Sequence, residues 1–136
     1  MSGRSSAGCL LALVLLGCGG GAESEPGIYP VRGTVHYQGR PAGGVMVVFH
    51  RQDAKGAERS YGKTLPDGSF KLSTRSAGDG APIGQYRITL TWPPTEDEEA
   101  PGLTDKLGGR YADTHKSAFL WEVKPEPNVI PPFELK

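Results

Sequence analysis

The chain has 136 residues, with 15 basic and 15 acidic side chains and a formal net charge of zero. That length suits one domain, and the lack of a basic excess removes the electrostatic footprint of a nucleic-acid binder. Glycine (20) and proline (12) are abundant without a Gly-X-Y period, which calls for many turns. The first element is an apolar run from about Ala7 to Gly17, preceded by Arg4 and followed by Cys18 and three glycines. A bilayer core takes roughly 20 apolar residues to span, so this run is too short to cross one. A basic start, a short apolar stretch and a small residue at its end describe a secretory signal peptide.

The residues at its end narrow the reading. Leu15-Leu16-Gly17-Cys18 resembles the bacterial lipobox. That resemblance implies a diacylglyceryl group on the Cys18 thiol, cleavage before Cys18 and anchoring to a membrane. A thiolate is the nucleophile able to accept such a group, and two or more acyl chains hold a protein firmly where one holds marginally. Residues 1–17 are then a lipoprotein signal peptide. Their loss leaves 119 residues, with 14 basic and 15 acidic. Cys9 leaves with the signal and Cys18 carries lipid, so no thiol remains for a disulfide, a metal site or a nucleophile. Gly19 stands where aspartate favours inner-membrane retention in two-membrane bacteria. The expected location is therefore the bacterial cell envelope, in the outer membrane rather than the inner.

Residues 18–28 are small, polar and mildly acidic, and read as a flexible tether. From residue 29 the pattern changes. Val31, Gly33, Val35 and Tyr37 alternate with polar residues, the period of a half-buried strand. A turn cluster, QGRPAGG, leads to VMVVFH, a short apolar run with Val45, Val47 and Phe49 on one parity. Arg51 to Glu58 is a polar loop. SYGKTLPDGSFKLST predicts a hairpin closed by a two-residue turn at Asp67-Gly68, with Pro66 setting the approach.

After SAGDGAPIG, the stretch QYRITLTW predicts a strand with Tyr86, Ile88, Leu90 and Trp92 on one side, ended by Pro93-Pro94. The acidic segment from Thr95 to Gly109 predicts no strand. Phe119, Trp121 and Val123 share one face of a penultimate strand. Val129, Phe133 and Leu135 share a face of the last, which Pro131 and Pro132 confine to an edge or a bulge. About seven strands and no helix after Cys18 give an all-β chain, a seven-stranded antiparallel β-sandwich over residues 29–136.

These residues also resemble a known family. Val31, Gly33, Val35, Gly39, Pro41, Val45, Val47, Asp67, Gly68, Phe70, Gly84 and Tyr86 follow the pattern of the carboxypeptidase regulatory-like domain. The resemblance implies a transthyretin-like (prealbumin-like) sandwich. Tyr111 and Ser117 match a Tyr and a Ser that precede the last two strands in short bacterial lipoproteins of this kind. The matched positions are turns and core residues, so they imply an architecture and leave activity open. The same fold occurs in 5-hydroxyisourate hydrolase, which ends in Tyr-Arg-Gly-Ser. This chain ends Phe133-Glu134-Leu135-Lys136, and the resemblance does not extend to that activity.

Chemistry-bearing residues are sparse. His36, His50 and His115 lack the spacing of a metal site, no G-x-S-x-G elbow is present, and Glu96 to Glu99 do not match a calcium loop. No catalytic, metal or cofactor site is expected, and the chain is read as a non-enzyme. Its β-sandwich is expected to be an interaction or structural module for an envelope protein. The alternative is a carbohydrate-binding domain for an envelope polysaccharide, stacking sugars on an exposed aromatic. Trp92, beside Pro93 and the acidic segment, is the candidate contact.

Overall fold

Alternating β-branched and aromatic residues between glycine and proline turns leave the backbone little choice but short paired strands. The computed structural model describes Gly3 and residues 27–52, 59–94 and 105–136. Apart from Gly3, residues 1–26 lie outside the described residues, and with them fall the expected signal peptide, Cys18 and most of the expected tether; so do residues 53–58 and 95–104.

The described chain is all-β, apart from one 3-10 turn at Thr114–Lys116. Its strands are β1 (Ile28–Tyr29), β2 (Val31–Tyr37), β3 (Arg40–Pro41), β4 (Met46–Arg51), β5 (Ser60–Lys63) and β6 (Ser69–Lys71). They continue as β7 (Ala81–Pro82), β8 (Gly84–Thr91), β9 (Leu120–Val123), β10 (Asn128–Val129) and β11 (Phe133–Leu135). The all-β expectation holds, and among the described residues the chain forms eleven short strands in three sheets where seven strands were expected. A two-stranded sheet pairs β1 with β7, and a four-stranded sheet runs β5-β4-β8-β9. In the five-stranded sheet, β2 is the centre. β10 and β11 pair with it in parallel on one side, and β6 and β3 pair with it antiparallel on the other. The tandem proline explains part of the difference. Pro131 and Pro132 have no N–H to give a ladder, so the last strand breaks into β10 and β11.

The two larger sheets feed one apolar core. β2 contributes Val31 and Val35, β4 Val47 and Phe49, and β8 Tyr86, Ile88 and Leu90, all essentially solvent-free. Phe119, just before β9, meets Phe133 of β11 edge-to-face at 4.9 Å, and Phe133 stacks on Phe70 at 6.1 Å. Such aromatic pairs contribute about 0.5–1.5 kcal/mol beyond their buried area. Leu107, in the turn that follows residue 104, is also fully buried.

Three sequence expectations change in detail. The Asp67-Gly68 turn forms, but Pro66 and Asp67 are its central residues. Gly68 N–H donates to Leu65 O (2.8 Å for the companion Leu65 N–H to Ser69 O), and Gly68 adopts φ +83°. This is a type I turn followed by a left-handed glycine, the usual three-residue hairpin loop. Its two legs then diverge, β5 to β4 and β6 to β2. The two-residue hairpin lies instead at Gln38-Gly39, both with positive φ (51° and 77°), joining β2 to β3. Finally, Val129 is exposed rather than in the core. The prolines interrupt the alternation, Ile130 takes the buried position, and Val129 lies opposite the outward-facing Arg32.

Candidate functional site

Because Val31, Gly33 and Val35 of β2 point into the core, Arg32, Thr34 and His36 must point out. Strand register then lays out the outer face in rows. Val129 of β10 faces Arg32 of β2, which faces Lys71 of β6. The next row pairs Thr34 with Ser69, and the one after pairs Glu134 with His36. His36 Nδ1 lies 3.1 Å from Glu134 Oε1.

Around the first two rows lies an open groove of about 900 Å3. Lys63 and Leu65, from the end of β5 and the turn beyond it, form one margin, and Ala77-Gly78 form another. The floor rests on Phe70, which covers Gly33. A Cβ at Gly33 would lie 2.9 Å from the Phe70 ring, so only glycine lets the ring lie there unshifted. Leu65 and Val129 are each 59 % exposed at the groove. Arg32, Lys63 and Lys71 are exposed as well, and among the described residues no carboxylate pairs with them and no acidic residue lines the groove.

Two carboxylates hold the margins from outside. Asp67 accepts from the Ser69 hydroxyl (2.6 Å) and backbone N–H (2.9 Å), and these bonds hold its carboxyl below the usual range. At Asp79 desolvation works the other way, but backbone N–H groups of Thr74, Arg75 and Ser76 outweigh it and lower its pKa. This shapes the turn that carries Ala77 and Gly78.

The residues singled out from sequence lie elsewhere. Trp92 follows β8 and is half-buried. Its indole N–H donates to Gly43 O at 2.9 Å, Lys106 Nζ lies 4.5 Å from its ring centroid, and Tyr37 packs edge-on at 5.4 Å. Its ring is therefore occupied by neighbours, and Tyr61, at 52 %, is the more exposed aromatic. His36 and His50 stand in different sheets, and His50 Nε2 bonds Thr89 Oγ1 at 2.8 Å. Burial, followed by the charge of Arg59, lowers the His50 pKa. His115 is exposed in the 3-10 turn. Among the described residues no three His, Cys, Asp or Glu side chains converge to hold a metal.

Tyr111 and Ser117 act as clamps. The Ser117 hydroxyl donates to Ile88 O and accepts from Phe119 N, and Tyr111 Oη accepts from Lys136 N at 3.1 Å. Cys18 lies outside the described residues.

Sequence alternation marks Arg32, Thr34 and Lys71 as outward, but nothing in it says that β6 pairs with β2. The groove was missed for that reason. Comparison of the chain with protein-family models, with curated proteins and with solved structures finds no match.

Proposed function

We propose that the chain is a bacterial envelope lipoprotein, anchored through lipid on Cys18, whose β-domain is a non-catalytic binding module. The open groove on the outer face of the β2 sheet carries this reading. It has the size range of ligand sites, exposed apolar side chains at Leu65 and Val129, and three cations that no described carboxylate pairs with. The lipobox-like Leu15-Leu16-Gly17-Cys18 supports the anchor. No helix among the described residues is long and apolar enough to cross a membrane.

At the level of fold family we infer a carboxypeptidase regulatory-like, transthyretin-like domain. The positions that carry the resemblance occupy structural places in this chain. Val31, Val35, Val45 and Val47 are core, Gly68 and Gly84 hold positive φ, and Tyr86 Oη donates to Pro82 O within the interior. The carbohydrate reading has less support, since Lys106 and Tyr37 already flank the Trp92 ring.

The test is cross-linking in the native envelope with mass spectrometry, with Cys18→Ser as control. A reproducible protein partner, lost in the control, is the expected result. Retention on purified envelope polysaccharide without a protein partner would replace it with glycan binding.

A further inference from the structure

We infer that the groove over β10, β2 and β6 takes an extended protein segment in which carboxylates alternate with apolar side chains. This deepens the reading of the β-domain as a binding module and rests on it. The first argument is charge. Arg32 and Lys71 are directly opposed across the β2–β6 ladder, and like charges so placed are destabilising. Lys63 adds a third cation at the margin, and among the described residues no acidic side chain lines the groove to offset them. An anionic occupant would convert that repulsion into attraction.

The second argument is shape and polarity. Leu65, Val129 and Pro132 line the same groove as the cations, so charged and apolar contacts lie side by side over a short span. An extended segment presents side chains of alternate character with the period of two that such a surface can read. A planar headgroup layer does not enter a concave groove. A glycan would need an open aromatic face, and the Phe70 ring beneath the groove is only 2 % exposed.

The opposed pair makes the inference separable from simple damage to the fold. Arg32→Glu turns a repulsive cross-strand pair into an attractive one. It should therefore leave thermal stability unchanged or raise it, while removing one attraction to an acidic segment and adding a repulsion.

The experiment pans a displayed library of random ten-residue peptides against the full chain in detergent, then measures the enriched peptides by fluorescence anisotropy. Expected are sequences with Asp or Glu alternating with apolar residues. Their binding should weaken as salt rises and fall about tenfold or more in Arg32→Glu, whose melting temperature is unchanged or higher. Enrichment without acidic residues, no enrichment, or equal binding to Arg32→Glu overturns the inference. So does Arg32-dependent binding to polygalacturonate or to phosphatidylglycerol vesicles without peptide enrichment.

The mass of Cys18 in protein extracted from membranes, read separately, reports the anchor. Lipid on Cys18 without peptide binding sinks the groove assignment alone, and peptide binding without lipid sinks the anchor alone.

Discussion

Thr64 joins the end of β5 to the loop before β4, and its removal should be costly for a reason that volume does not explain. Its hydroxyl donates to Ala42 O at 2.6 Å and accepts from Val45 N–H at 2.8 Å, and the residue is 4 % exposed. Thr64→Val keeps shape and size but supplies neither a donor nor an acceptor. The substitution strands a buried carbonyl and a buried N–H at once. Leaving one such group unsatisfied costs about 1–3 kcal/mol, so the pair predicts a loss of about 2–6 kcal/mol. Against a total stability of roughly 5–15 kcal/mol, this is a large fraction. Urea denaturation followed by circular dichroism checks it: the midpoint should fall steeply with the slope m unchanged. Thr64→Ser, which keeps the hydroxyl and loses only the methyl, should cost clearly less. A loss under about 0.5 kcal/mol for Thr64→Val, or an equal loss for both variants, would refute the hydrogen-bond argument.

Gln38 holds φ 51° in the two-residue turn before Gly39, a position that favours Asn. Gln38→Asn should therefore raise stability by about 0.5 kcal/mol, read from thermal melts. Gly80→Ala should do the reverse. The added Cβ would sit 1.7 Å from Tyr29 O at φ +107°. The β1–β7 pairing must then open, visible as faster amide exchange at Ile83, whose N–H donates to Gly27 O. His50 gives a pH signature. Its pKa is depressed in the folded state, so the unfolded chain binds the proton more readily. The stability it contributes is intact above its ordinary value of 6.5 and is lost as pH falls from there through the folded value. His50→Gln should flatten the dependence of the urea midpoint on pH between about 7 and 5; an unchanged slope would show that another group carries it.

How far the sequence could be read follows from what each signal encodes. Alternation reports one strand at a time. β2, β4 and β8 lie close to where Val31–Tyr37, Val45–Phe49 and Tyr86–Leu90 place them, because a slip of one residue would turn their apolar set outward. Pairing is a property of two strands, and the chain states it only through turns. The Leu65–Gly68 turn was legible, yet its legs part into separate sheets. Gly62 shows the local packing that accompanies this: a Cβ there would lie 2.6 Å from Lys71 O. Val129 failed because alternation was carried through two prolines that end one strand and begin another. Trp92 was placed on the β8 apolar face correctly by parity. Its neighbours Lys106 and Tyr37 come from 14 and 55 residues away, beyond any local pattern. The groove shares that origin, since Arg32, Lys71 and Val129 are collected from three separate strands.

The proposed anchor and groove fit each other energetically. Eight residues, 19–26, separate Cys18 from Gly27, and a chain of that length spans at most about 30 Å. A domain so held meets any partner at the same surface at an effective concentration on the order of millimolar. Three exposed cations, each contributing roughly 0.2–1 kcal/mol to an ion pair, supply a weak interaction on their own. Confinement makes such an interaction sufficient, and weakness keeps it reversible. The affinity of an acidic segment for the free domain should then be modest and salt-sensitive. If such a segment instead bound in the nanomolar range with no salt dependence, the exposed apolar side chains Leu65 and Val129 rather than the cationic row would be the main determinant. The opposed Arg32–Lys71 pair would then stand unexplained.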